Sequence, residues 1–284
     1  MTQGLTMTPI LLRTSQRGAT LLELMVGITI GLLTVTVALG ALMVSRGISG
    51  TVSEASQLQQ QASYAFRVIG QQLRQAGSRQ LDPTTTPDVQ AKFYEPAGVV
   101  VDFGASPPIT GKASPSSSEY TLAVNYQNIN DPVNTSPPSS VPEDGYLMRN
   151  CLQEKAAVAS APLVSSQFKR DSANNTLMCA GTGAPQAIIQ NVKDFTAQYL
   201  VQATPGTNDA APTFKYVDAD TAATAWLNVY AVQVCLELEG TENIDTAGAK
   251  YKKCDGSEAD RGNRLRMVFR NTYHIRNHAW PATS

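Results

Sequence analysis

Arg17-Gly18-Ala19-Thr20-Leu21-Leu22-Glu23-Leu24-Met25-Val26-Gly27 places a single acid at the lip of an apolar run. Residues 24–44 contain no charge, and these 21 residues, at ~1.5 Å each, span about the ~30 Å core of a bilayer as a helix. The first 18 residues carry Arg13 and Arg17 and no acid. Positive charge is retained on the cytoplasmic side, so this arrangement leaves residues 1–18 inside and sends the rest of the chain out. A secretory signal peptide would have a shorter apolar region followed by a small-x-small cleavage site. Ala38-Leu39-Gly40-Ala41 approximates such a site, but the Glu23 carboxylate is out of place there, because a charge at the edge of lipid is costly and usually functional. In a plain membrane anchor, Glu23 would only favour a helix N-terminus through the macrodipole.

Outward from this stretch the helical pattern continues. Apolar residues recur at Ile48, Val52, Ala55, Ala62, Phe66, Ile69, Leu73 and Ala76, with Gln59 in the one gap. Spacings of four and three predict an amphipathic helix with one face on a packed domain. From Ala19 to Ala76 such a helix would be ~87 Å long. Gly27 and Gly31 would let helices approach closely. Gly77 ends the helix, and Asp82-Pro83 to Pro87 reads as a loop. Two more Pro/Ser-rich loops follow at 104–118 and 130–144. Strand-like runs appear at 120–126, 146–152, 176–180, 195–201, 227–238 and 265–275, and no helical period follows Ala76. The expected class is therefore α+β. The expected organisation is residues 1–18 as a cytoplasmic leader, 19–76 as a long helix (24–44 across the membrane, 45–76 amphipathic) and 77–284 as a β-rich head. The head is expected to be a mainly antiparallel sheet packed on the exposed half of the helix.

Composition narrows the function. Charged residues make up 16% of the 284, and the formal net charge is −1, so no basic excess points to nucleic acid. The four cysteines, Cys151, Cys179, Cys235 and Cys254, all lie in the second half and include no CxxC pair. They suit two disulfides outside the cytoplasm. Of the three pairings, Cys151–Cys179 and Cys235–Cys254 are expected, each closing a short segment next to a strand. His274 and His278 would stand ~13 Å apart on a strand, so no metal site is expected there. Asp218-Ala-Asp220 and the acidic loop 255–260 lack calcium-loop spacing. Lys250, Lys252, Lys253, Arg261, Arg264 and Arg266 form a basic stretch interleaved with acids, which reads as a solvated loop. No nucleophile motif or phosphate loop is present, so no enzyme and no cofactor are expected.

The run from Arg17 to Gly27 resembles the leader and methylation motif of type IV pilins and pseudopilins. The resemblance implies cleavage after Gly18, N-methylation of Ala19, and a Glu23 that pairs with the terminal amine of a neighbouring subunit. Ala19 stands where that family more often has Phe or Met. The segments 188–199, 226–238 and 264–277 resemble PilW-type minor pilins, with the J-type minor pseudopilin of type II secretion as the near alternative. The resemblance implies a pilin-like fold and a minor pilin that takes part in priming pilus assembly and sits in a tip complex. A tip-located module binding DNA or a surface is a further alternative, although nucleic acid is not expected as a partner. The implied partners are other minor pilins and the major pilin, a prepilin peptidase, the inner-membrane assembly platform and a large tip adhesin. The implied location is the inner membrane with the head in the periplasm, then the pilus tip at the cell surface.

Overall fold

The computed structural model describes residues 18–79, 106–129, 148–155, 163–202, 213–244 and 248–276. Residues 1–17, the 130–144 loop, Tyr146, Asn277 and His278 lie outside this set. The chain divides into two compact units, residues 1–50 and 51–284. Helix α1 (Leu21–Gln75) supplies most of the first unit and opens the second.

The second unit is β-rich. In chain order its strands are β1 (Ile109–Thr110), β2 (Leu122–Gln127), β3 (Leu163–Asp171), β4 (Thr176–Ala180), β5 (Gln186–Ile189), β6 (Val192–Gln202), β7 (Phe214–Val217), β8 (Val229–Asn243), β9 (Lys250–Lys252), β10 (Glu258–Asp260) and β11 (Arg264–His274), with a short helix α2 (Ala219–Ala222) after β7. The first five form one sheet in chain order; a second sheet runs β11–β8–β6–β7, and β9–β10 is a hairpin. Every pairing is antiparallel. The architecture is α+β, an apolar N-terminal helix with a mainly antiparallel β domain, as a pilin-like fold requires.

The core of the head forms where α1 meets both sheets. Leu58, Ala62, Ala65, Ile69, Leu73 and Ala76 are buried together with Phe168, Tyr199, Val232, Val234, Leu236 and Leu238. Removing each large side chain from water contributes about 1.5–3 kcal/mol. This buried stripe differs from the expected one at its N-terminal end. Val52 is 64% exposed, and Leu58 and Ala65 are buried instead. The face turns because polar Glu54 is buried: its carboxylate accepts from the backbone N–H groups of Thr241 and Glu242 at the end of β8, and its side chain lies over Gly240, where any Cβ would strike it. Periodicity of apolar residues alone does not register a buried carboxylate held through one oxygen, Oε1, by backbone donors.

Two other expectations are corrected. Residues 148–152 are a turn with a single bridge, Arg149 to Lys155, rather than a strand. The Asn150 side-chain oxygen accepts from the N–H groups of Leu152 (2.9 Å) and Glu154 (3.0 Å), which replaces a ladder with a local turn. A helix also follows Ala76 after all: α2 is one turn, capped by Asp218, whose carboxylate accepts from Thr221 N–H at 2.8 Å.

Candidate assembly site

Gly18, Ala19 and Thr20 are exposed and lead into α1. Thr20 and Glu23 close the helix start reciprocally. Thr20 N–H donates to Glu23 Oε2 at 2.9 Å, the Thr20 hydroxyl lies 3.2 Å from the same oxygen, and Glu23 N–H donates to Thr20 Oγ1 at 3.3 Å. This is a capping box, in which a Thr and a Glu three residues later satisfy donors that a helix N-terminus leaves open. The sequence signal for Thr20 is the Thr-x-x-Glu spacing itself, which marks a capped helix start. Both Thr20 donors reach Glu23 Oε2, and the residue is exposed.

Behind this cap, Leu21–Met43 is, among the described residues, the one segment long and apolar enough to cross a membrane. None of it is buried within the chain; Leu21 is 76% and Met43 74% exposed. Such a surface is stable only in lipid or against other apolar helices.

In the head, Cys151 joins Cys179 (Cα–Cα 6.4 Å) and Cys235 joins Cys254 (5.7 Å). The first bridge is tied to α1 through a buried polar chain. Cys151 N–H donates to Ser166 Oγ (3.0 Å), the Ser166 hydroxyl donates to Gln72 Oε1 (2.8 Å), and the Tyr126 hydroxyl lies 2.6 Å from the same amide oxygen. Burial pushes the Tyr126 phenol up to about 12, so it remains a donor across the physiological range.

The second bridge fastens the β9–β10 hairpin over the outer face of β8. Beneath the hairpin lies a charge network. Tyr251 donates to the buried Glu237 carboxylate at 2.6 Å, Arg266 donates to the Tyr251 hydroxyl at 2.9 Å and to Glu239 at 3.0 Å, and Lys193 pairs with Glu239 at 2.9 Å. Burial acts to raise the Glu239 carboxyl, but the hydrogen bonds and charges of Lys193 and Arg266 outweigh it and hold the group below its ordinary range. Arg266, one of the basic residues singled out in the sequence, is thus an internal partner.

The acidic loops serve turns. Asp255 accepts from Ser257 N–H and hydroxyl, and Asp218 caps α2. Among the described residues no group of three His, Cys, Asp or Glu side chains is placed to hold a metal. His274 sits exposed on β11.

Residues 155–277 match the family model described as Type IV Pilus-assembly protein W. That range takes in both strands of the hairpin and the whole β11–β8–β6–β7 sheet. Comparison with curated proteins and with solved structures returns no match.

Proposed function

We propose that this chain, a PilW-type type IV pilus protein by the match over its C-terminal sheets, is a minor pilin that helps to prime pilus assembly and takes its place in a tip complex. The observation that carries the reading is the pairing of that match with an exposed apolar helix that begins at the Thr20–Glu23 capping box. A prepilin peptidase cuts between Gly18 and Ala19, the Ala19 amine is methylated, and the helix holds the protein in the inner membrane with its disulfide-bonded head in the periplasm. On assembly the helix leaves lipid for a bundle of like helices contributed by other minor pilins and the major pilin. A lone carboxylate in such a bundle would be severely penalised and a paired one much less so. Glu23 therefore pairs with the Ala19 amine of a neighbour and sets the register between subunits. The role is structural, and the assigned residues act in processing and assembly. The family match favours a pilus over a type II secretion pseudopilin.

The test is Glu23→Ala expressed in a strain lacking the native copy. The variant is expected to fold, lose its leader and insert normally, yet to be depleted in sheared pili relative to membranes. Glu23→Val should behave alike, since the defect is a missing partner. Incorporation of Glu23→Ala at the parental level would reduce Glu23 to a helix-end charge and remove the assembly role.

A further inference from the structure

We propose that the outer face of the β11–β8–β6–β7 sheet binds an acidic polysaccharide. The register lays that face out in rows. Arg270, Cys235 and Thr196 form one row, Thr272, Gln233 and Gln198 the next, then His274, Ala231, Leu200 and Tyr216, and finally Gln202 with Phe214. The β9–β10 hairpin covers the first end, where Cys254 holds Cys235 and Arg270 donates to the Lys253 carbonyl. Beyond the hairpin, no described residue of these rows is a carboxylate. The β11 edge presents His274, and past Ile275, whose side chain is in the core, comes the exposed Arg276.

The opposite edge is aromatic. Phe214 is 47% and Tyr216 44% exposed, and they stand two residues apart on one face of β7, ~7 Å along the strand. Among the described residues of the head few large hydrophobic side chains are this open, and Leu227, 42% exposed, is a third, just before β8 begins. The Phe214 ring is held in place. It packs edge-to-face on Tyr230 (centroids 5.1 Å apart, 88°), and the Tyr230 hydroxyl donates to Gln202 Oε1 at 2.6 Å. A ring propped in water by a second ring, itself hydrogen-bonded, is ordered before anything arrives, which lowers the entropy lost on binding.

The chemistry across the ~14 Å between the edges is amide and hydroxyl: Gln198, Gln233, Thr272 and Gln202. Covering these with the apolar centre of a protein interface would strand their polar groups. A sugar chain pairs hydroxyls with them, lays its C–H faces on the Tyr216 and Phe214 rings, and brings carboxylates to Arg276 at the far edge. Single-stranded nucleic acid requires rings and cations along one track, and here they stand on opposite edges.

Isothermal titration of the full-length protein in detergent with oligogalacturonate tests this, with an uncharged cello-oligosaccharide and an oligothymidylate as comparators. Oligogalacturonate is expected to bind, and the uncharged oligosaccharide to bind about tenfold more weakly. Tyr216→Ala and Arg276→Ala should each weaken binding about tenfold, while Tyr216→Phe retains it. Near-ultraviolet circular dichroism confirms that each variant keeps its fold. Glu23→Ala should bind like the parent, so binding and pilus assembly fail or succeed separately. Absence of oligogalacturonate binding, tighter binding of oligothymidylate, or parental affinity in both Tyr216→Ala and Arg276→Ala would overturn the proposal. So would loss of a pilin partner from the Tyr216→Ala variant with no sugar bound by the parent, which would make the face a protein interface.

Discussion

The Tyr273 hydroxyl of β11 donates a 2.7 Å hydrogen bond to the Phe66 carbonyl of α1, and the tyrosine ring lies directly over Gly70. A Cβ at residue 70 would meet Cε1, Cζ and Cδ1 of that ring, the last two at 3.0 and 3.2 Å. Gly70 is therefore the point where the last strand rests on the helix backbone.

Gly70→Ala sets two effects against each other. Alanine gains up to ~1 kcal/mol of helix propensity, and overpacking against a hydrogen-bonded ring costs about 1–3 kcal/mol. A net loss of about 1 kcal/mol is expected in urea unfolding. In a Tyr273→Ala background the same substitution should become neutral or stabilising. Equal penalties in the two backgrounds would mean that the ring is not the obstacle.

Removal of the Cys235–Cys254 bridge should act locally. A loop of 19 residues is closed, and the chain-entropy model assigns such a loop about 3 kcal/mol. In Cys235→Ser/Cys254→Ser, amide exchange is expected to rise first in β9 and β10, while β6 and β8 keep their protection. Simultaneous loss of protection across the whole sheet would show that the hairpin is not a separable cover.

Acid sensitivity should trace in part to Glu239. Its carboxyl is held below the ordinary glutamate value by Lys193 and Arg266 despite burial. A depressed folded value means that the unfolded chain takes up the proton first as pH falls. The stabilisation is thus complete above about pH 4.5 and is lost as pH drops toward the folded value. Glu239→Gln should flatten the profile of unfolding free energy as pH falls below about 4.5. An unchanged slope would place the acid response elsewhere.

Processing can be read by mass. The membrane form is expected to begin at Ala19, with residues 1–18 absent and one methyl group added to the amine. A mature N-terminus near Ala41 would identify an ordinary secretory signal and end the pilin reading.

Much of the plan was legible in one dimension. The uncharged run behind Glu23 gave the apolar helix because lipid-spanning length is a simple count, and β4, β6, β8 and β11 were visible as alternating or wholly apolar runs. The short edge strand β7 and the hairpin strands were not. β7 has only four residues, and β9 and β10 have three each, too short for a period to register. β3 was hidden because Ser165, Ser166 and Gln167 interrupt it; Ser166 is fully buried and faces Gln72, a pairing across 94 residues that no local pattern carries. Glu54 is the same case, a charged residue whose partners are backbone groups almost two hundred residues away. The amide and aromatic rows of the outer sheet face also required register, since Gln198, Gln233 and Thr272 are neighbours only once β6, β8 and β11 are aligned.

The capping box at Thr20 and Glu23 changes the energetic meaning of subunit pairing. Glu23 already accepts from its own Thr20, a neutral donor, so under the proposed pairing a neighbour's Ala19 amine would add the cation that Thr20 cannot supply. Under the proposed assembly, Thr20 would act as an escort for the charge, keeping Glu23 hydrogen-bonded in lipid until a neighbour's amine takes its place beside it.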